Sequence, residues 1–238
     1  MRIPLRVAAL LLAAGVARAD VVIIQQVDGM AQSGQMTIMV NGDKVRADVS
    51  PQISTITDAA TGDVTTLMHA QKCYIVISAA AGKAMLAGMT SPAPKAGASA
   101  SPAPPVPPVL APSPKATGKT DNINGYNAAE YTFTNGNMKA TYWICPNYPN
   151  AKMVTDALAK FQKGGLAAIT RGLAPDLSAF PGVPVKTEVE LNGQKITTQL
   201  ISATEQPVDP SEYRVPADYS QMKMPPVDGP VNGPGVDF

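Results

Sequence analysis

The sequence has few of the side chains on which catalytic and metal sites depend. Among 238 residues it has one histidine, His69, and two cysteines, Cys73 and Cys145. A Ser/His or Cys/His nucleophile would have to use His69, which stands between two predicted strands and is expected to be an exposed turn residue. A zinc site needs three or four ligands at short spacing, and that spacing is missing. The sequence therefore argues against an enzyme, and no metal or cofactor is expected.

Aromatic residues and long apolar runs are also scarce. Aromatic side chains make up 5% of the chain, too few for the interfacial girdles of a membrane barrel. No segment reaches the ~20 apolar residues that cross a bilayer as a helix. Basic residues form no block or stripe, so nucleic acid is not an expected partner. We expect a protein that is not integral to a membrane.

The N-terminus has the three parts of a secretory signal. Arg2 and Arg6 are positively charged, residues 7–16 are apolar, and Ala17-Arg18-Ala19 is a small-x-small cleavage site before Asp20. Loss of three arginines would leave sixteen basic residues, 19 minus 3, against eighteen acidic ones. We therefore expect residues 1–19 to be a signal peptide cleaved between Ala19 and Asp20. The mature protein is expected in the periplasm or outside the cell.

Export would place the two cysteines in an oxidising compartment, which favours a disulfide between neighbours. Cys73 opens a predicted strand at residues 73–78, and Cys145 closes one at Met138–Cys145. Two buried free thiols are the alternative, because cysteine also behaves as a small apolar residue. A sequence does not give the distance between the two strands, so a Cys73–Cys145 disulfide is a candidate only.

Proline-rich segments divide the chain. Residues 91–120 are rich in Pro, Ala and Ser, which have little to bury and do not form a regular ladder, so we expect a disordered insertion. The insertion separates the first half of a β domain, residues 20–90, from its second half, residues 121–224. Residues 225–238 are again rich in Pro and Gly, and we expect a disordered tail.

Alternating polar and apolar residues predict antiparallel strands with one buried face. The clearest are residues 44–49, with Val45, Ala47 and Val49 on the buried face, and residues 185–191 and 195–201. Asn-Gly pairs at 41–42 and 192–193 supply the positive φ angles of tight hairpins. Further strands are predicted at residues 21–27, 36–40, 65–68, 73–78, 130–134 and 138–145.

One amphipathic helix is predicted at residues 151–163. Asn150 is a suitable N-cap, and Gly164-Gly165 ends the helix. A weaker helical stretch at residues 166–173 stops at Pro175. Helices between runs of strands predict a sheet with helices packed on one face. The apolar stripe of the first helix consists of Met153, Val154, Ala157, Leu158 and Phe161.

Three groups of residues carry a family resemblance. They are residues 36–46 with 65–69, residues 140–144 with 148–150, and residues 181–184, 205–209 and 213–216. Together they resemble an exported bacterial family, the domain-of-unknown-function family 4412. The closing Tyr213-Arg214-Val215-Pro216 also resembles the outer-membrane lipoprotein carriers of the LolA/LolB type. This second resemblance implies a mainly β fold, a curved antiparallel sheet or incomplete barrel, with helices on its concave face.

The resemblance implies a non-catalytic binding protein that carries a lipid, a lipidated chain or another apolar ligand in a half-barrel cavity. An apolar ligand or a lipoprotein is therefore the expected partner. The alternative is a structural or envelope-interaction protein whose own helices fill the core. The apolar faces of the helix and the strands provide the candidate cavity residues, which are Met153, Val154, Leu158, Phe161, Val185, Val189, Ile196 and Leu200.

Overall fold

A computed structural model of the protein describes residues 19–29, 33–82, 112–163 and 174–222. The predicted signal peptide up to residue 18, most of the predicted insertion, the predicted second helical stretch and the predicted tail lie outside these ranges. The predictions made for those segments therefore stay predictions. The described residues form a single sheet of twelve strands with a helix on one face.

The strands fall into two series along the chain. The first series is β1 (Asp20–Asp28), β2 (Gly34–Asn41), β3 (Lys44–Ser50), β4 (Ile53–Asp58), β5 (Val64–Met68) and β6 (Cys73–Ile77). The second series is β7 (Lys115–Ile123), β8 (Tyr126–Asn135), β9 (Met138–Cys145), β10 (Val183–Leu191), β11 (Gln194–Gln206) and β12 (Ser220–Gln221).

The strand order across the sheet is β12-β6-β5-β4-β3-β2-β1-β11-β10-β9-β8-β7. All neighbouring pairs are antiparallel except β12, which lies parallel to β6. β1 joins the two series, because it pairs with β2 on one side and with β11 on the other. The sheet is open, with β12 and β7 at its two edges. The predicted mainly β, antiparallel fold is confirmed.

Both predicted hairpins form, but only the second has two residues with positive φ. Asn192 and Gly193 have φ angles of 52° and 79° between β10 and β11, and two such residues make the turn whose twist matches that of the flanking strands. Between β2 and β3 only Gly42 has a positive φ, of 55°, because Asn41 is the last residue of β2 and pairs with Lys44. These turns set the register of each hairpin.

β7 corrects the predicted limits of the disordered insertion. Residues 115–120, placed in the insertion, form most of β7, in which Lys115 pairs with Thr132 and Thr120 with Ala129. The last proline of the segment is Pro114, so the backbone donors of a ladder are available from Lys115 onward. A bulge between Ala116 and Thr120, with Gly118 at a φ of 81°, interrupts the pairing.

Helix α1 (Ala151–Gln162) lies across one face of the sheet and contacts β1, β2, β3 and β10. The helix is where the sequence predicts it, but Asn150 does not cap it with its side chain. Asn150 has a left-handed φ of 52°, and its side chain forms no capping hydrogen bond. Asparagine tolerates that conformation better than most residues, which explains its place here. No helix among the described residues has the length and apolar character needed to cross a bilayer.

The opposite face of β3 and β4 is covered by the C-terminal segment, which we define as residues 209–222. The Arg46 guanidinium, on β3, lies 2.7 Å from the Asp48 carboxylate and 2.9 Å from that of Glu212. The Tyr213 hydroxyl donates a hydrogen bond of 3.1 Å to Asp20 Oδ2 on β1. Polar contacts therefore attach this segment to the sheet.

Val49 is exposed, contrary to its predicted place on the buried face. Its side chain is 45% exposed, whereas Val45 and Ala47 on the same strand are each 1% exposed. The pairing of β3 with β4 shifts register between Asp48 and Ser50. Val49 is thus the extra residue of a β-bulge, and a bulge breaks the alternation of side chains between the two faces.

The candidate disulfide between Cys73 and Cys145 is not formed. Both cysteines are free and buried. Seven strands separate β6, which carries Cys73, from β9, which carries Cys145. Neighbouring strands are about 4.8 Å apart and a disulfide joins Cα atoms within about 7 Å, so only adjacent strands can be bridged in this way. The structure instead has two buried free thiols, the alternative to a disulfide that the sequence left open.

Candidate functional site

A cavity of about 180 Å³ lies between α1 and the sheet. Leu158, Phe161 and Gln162 line it from the helix. A short 3-10 turn, Leu177–Ala179, contributes Leu177. The sheet contributes Gln25, Tyr142, Pro184, Thr187 and Thr198, which belong to β1, β9, β10 and β11.

The register of the sheet explains why these side chains meet. Thr187 pairs with Thr198 across β10 and β11, and it pairs with Tyr142 on β9. Directly paired residues of antiparallel strands point to the same face of the sheet. Leu158 and Phe161 are three positions apart on the helix, so both face the sheet. Helix and sheet therefore close the cavity from opposite sides.

Five of the eight predicted cavity residues lie at or beside this cavity. Leu158 and Phe161 line it directly. Val189, Ile196 and Leu200 lie two residues from Thr187 or Thr198 on their own strands, and so on the same face. Of these three, Val189 and Ile196 are partly buried and Leu200 is 3% exposed.

The other three predicted residues lie elsewhere. Val154 is 0% and Val185 1% exposed, and both pack in the hydrophobic core rather than along the cavity. Val185 is at a register shift between Pro184 and Lys186, which removes it from the alternation that the sequence predicts. Met153 lines a second cavity of about 210 Å³.

Gln25 is a lining residue that the sequence analysis missed. It is 8% exposed, and its side-chain amide forms no hydrogen bond with any other described residue. Gln25 keeps the alternation of β1 and pairs with Leu200 on β11, whose side chain lies on the cavity face; the register shift beside it leaves Ile201 of β11 as the extra residue. The signal in the sequence was the pair Gln25-Gln26, which interrupts an otherwise apolar strand.

The second cavity lies near the start of β1. It is bounded by Ala19, Asp20 and Met153 and by Lys160, whose ammonium donates a hydrogen bond of 2.7 Å to the Gly42 carbonyl. Asp20 is 2% exposed, and its Oδ1 atom has no hydrogen-bond partner within the described chain. The two residues of the predicted cleavage site thus differ, because Ala19 is exposed and Asp20 begins a buried strand.

His69 lies in a turn, as the sequence predicts, but it is not exposed. It is partly buried after β5, with Nε2 2.7 Å from the Ser54 hydroxyl oxygen and Nδ1 2.7 Å from the Tyr219 hydroxyl oxygen. The covering C-terminal segment, which supplies Tyr219, is the reason for its burial.

The Ser54–His69 contact does not have the form of a catalytic triad. Ser54 donates its only hydroxyl proton to Asp48 Oδ1 at 2.6 Å, because a carboxylate only accepts. In a triad the carboxylate bonds to the far nitrogen of the histidine, a place held here by Tyr219. Ser54 is also 1% exposed, so the geometry gives a nucleophile at this position no support. Within the described part of the chain, no three His, Cys, Asp or Glu side chains come together as a metal site requires.

The second half of the chain matches one family model. Residues 113–219 match the domain of unknown function DUF4412. The resemblance to family 4412 is therefore confirmed over that segment, which holds the second and third groups of resembling residues and every lining residue of the cavity except Gln25. The first group, residues 36–46 and 65–69, lies outside the match.

Comparisons with other proteins are remote. No curated protein is significantly similar in sequence to this chain. Crystal structures of PNGF-II in space groups C2 and P21 each have a TM-score of 0.39, with 11% and 10% identity, over 86% of this chain. The aligned part spans 31% of PNGF-II. The lipoprotein LppX of Mycobacterium tuberculosis has a TM-score of 0.38 and 12% identity, over 81% of this chain and 89% of LppX. Likenesses this distant carry no argument about ligand or function.

Proposed function

We propose that this chain is an exported, non-catalytic protein that binds an apolar ligand in the cavity between α1 and the sheet. The cavity itself is the observation that carries the proposal. Four apolar or aromatic side chains, those of Tyr142, Leu158, Phe161 and Leu177, converge on it from three different elements. Apolar groups that leave water for such a site gain about 25 cal/mol for each Å² of buried surface.

The size of the cavity limits the ligand. At about 180 Å³ it resembles engineered apolar cavities of about 150 Å³, which bind benzene, and it is smaller than the ~300–1,000 Å³ of drug-sized sites. A whole diacyl lipid would not be enclosed. The ligand would be a small apolar molecule, or the end of an acyl chain on a larger lipid or lipidated protein.

Export is supported by the charged, apolar and small-residue parts of residues 1–19. N-terminal sequencing of the protein from its native host tests this part of the proposal. A mature chain that begins at Asp20 supports it, and one that retains residues 1–19 contradicts it.

Binding is tested in two steps. An organic extract of native protein is examined by mass spectrometry, and delipidated protein is then titrated with hexane by ligand-observed NMR. Phe161→Ala should change hexane affinity while costing less stability than Phe133→Ala, because Phe161 lines the cavity. Phe133 is 3% exposed in the core and does not line the cavity, so its truncation should cost about 3–5 kcal/mol without changing affinity.

A structural protein with a self-filled core is the second candidate. The observation in its favour is that Val154, Val185 and Leu200, three of the residues predicted to line a cavity, are each at most 3% exposed. Under this function wild-type protein takes up no hexane, its extract contains no ligand, and Phe161→Ala costs as much stability as Phe133→Ala. That set of results would exclude the binding function.

A further inference from the structure

The polar part of the cavity is electrically neutral. Two amides, Gln25 and Gln162, and two hydroxyls, Thr187 and Thr198, line it beside the apolar side chains. None of these four side chains forms a hydrogen bond within the described chain, and no charged side chain is among the described lining residues. The cavity therefore holds several hydrogen-bonding groups that have no partner among the described residues.

Gln25 is the most buried of these four residues. Its amide has two donor hydrogens and an acceptor oxygen, yet the residue is 8% exposed. It lies on the face of β1 that carries Ile23, which is fully buried, so an apolar side chain would be the ordinary choice at this position. The amide lies at the surface of the cavity, where a ligand that supplies a hydrogen-bond partner gains affinity from it.

The charged residues of the neighbouring strands lie on the other face of the sheet. Lys186, Glu188 and Lys195 alternate with the cavity residues, and Glu188 forms ion pairs of 2.9 Å with Lys186 and 2.6 Å with Lys195. An ionised group in the cavity would lose part of its hydration and find no opposite charge on the described lining residues. A carboxylate is therefore expected to bind less tightly than an uncharged group.

We infer that the cavity selects a ligand whose short apolar chain ends in an uncharged hydrogen-bonding group, such as an alcohol, an ester or an amide. Gln25 bonds that group, with Thr187 and Thr198 beside it, and the apolar side chains of α1 cover the chain. The inference rests on the proposed function and specifies the chemical class of its ligand.

The test compares three six-carbon probes by ligand-observed NMR on delipidated full-length mature protein at about pH 8. Hexan-1-ol is expected to bind about tenfold more tightly than hexanoate, which is ionised at that pH, and more tightly than hexane. Gln25→Leu should weaken hexan-1-ol binding about tenfold and leave hexane binding equal or stronger. Gln26→Leu is the matched control, because Gln26 lies on the opposite face and bonds Asp28, and it should change neither affinity.

The possible results separate the inference from the proposed function. If hexane binds and hexan-1-ol binds no better than hexanoate, the inference is overturned while the binding function stands. If no probe binds wild-type protein, both fail. The probe comparison on wild-type protein needs no variant, and Thr198→Val repeats the loss of a polar group should Gln25→Leu not fold. Equal loss in the Gln25 and Gln26 variants would also overturn the inference.

Discussion

The Nδ1 atom of His69 lies 2.7 Å from the Tyr219 hydroxyl oxygen, although the two residues are 150 positions apart in the chain. The other ring nitrogen contacts Ser54, which in turn bonds Asp48. Because Ser54 donates to Asp48, its oxygen accepts from the His69 Nε2, and the tautomer with its proton on Nε2 accepts from the Tyr219 hydroxyl at Nδ1. The series fastens the C-terminal segment to the strands β3, β4 and β5.

Tyr219→Phe should therefore lower the free energy of unfolding by about 1 kcal/mol, because it leaves a partly buried imidazole nitrogen without its donor. Urea unfolding followed by Trp143 fluorescence measures the change. Tyr74→Phe on neighbouring β6 is the control, since the Tyr74 hydroxyl has no hydrogen bond within the described chain and its loss should change little. Equal effects of the two substitutions would contradict a stabilising role for the His69–Tyr219 bond.

Gly182→Ala should be strongly destabilising. A Cβ atom at residue 182 would overlap the Cys145 carbonyl and lie 2.6 Å from the Pro146 Cα, and neither backbone atom can move aside cheaply. We expect a loss of about 1–3 kcal/mol, as for other overpacked sites. Gly34→Ala serves as the control, because nothing lies within 4 Å of its Cβ position. Thermal melting of both variants tests the difference, and a Gly182 variant as stable as the Gly34 variant would refute it.

Only part of the predicted insertion should be removable without loss of stability. Replacing residues 91–111 with a short Gly/Ser linker should change the melting temperature little, since loop closure depends weakly on length. Extending the replacement to residue 120 removes most of β7 and leaves the edge of β8 unpaired, which favours association between molecules. Thermal melting and size-exclusion chromatography should distinguish the two deletions. Identical behaviour would mean that β7 contributes nothing to the sheet.

Alkaline pH should destabilise the fold through its buried tyrosines. Burial raises the pKa of Tyr142 to about 12, and burial followed by the neighbouring Tyr126 raises the pKa of Tyr148 to about 12. Unfolded tyrosine has a pKa of about 10, so between about pH 10 and pH 12 the unfolded chain releases protons that the native chain keeps. The contribution of these tyrosines to the free energy of unfolding is thus complete below about pH 10, and it is lost as the pH rises through that window.

Urea midpoints measured across this pH range test the prediction. Tyr148→Phe should make the free energy of unfolding fall less steeply with pH, because one released proton no longer contributes to the slope. A wild-type midpoint that does not move over the window would contradict it.

Strands whose two faces differ in polarity could be predicted from the sequence, and strands without that difference could not. In β3 and β11 the polarity of the residues alternates, because one face carries apolar side chains and the other carries charged or polar ones. In β4, Ser54, Thr55, Ile56 and Thr57 are all buried, since the C-terminal segment covers the face opposite to the core. No alternation results, and the strand carried no period-two signal.

The candidate site was predictable in part for a similar reason. The helical spacing of Leu158 and Phe161 indicates one buried face wherever the helix packs. The lining role of Gln25 depends on the pairing of β1 with β11, and the displacement of Val185 depends on a register shift between β10 and β9; both arise from pairing with distant segments. The separation of Cys73 from Cys145 depends likewise on the order of strands, a property that neither local sequence contains.

The position of β1 between β2 and β11 also constrains how the chain folds. The first strand to be synthesised gains its second neighbour only when residues 197–206 are available, near the end of the chain. Until then the series β1 to β6 presents an exposed edge at the centre of the future sheet, where Ile23 and Val22 lie. Such an edge invites pairing with other chains, and pairing between distant segments is slow. The interval between the pairing of β1 with β2 and the arrival of β11 is therefore the period of folding in which this edge is most exposed to association with other chains.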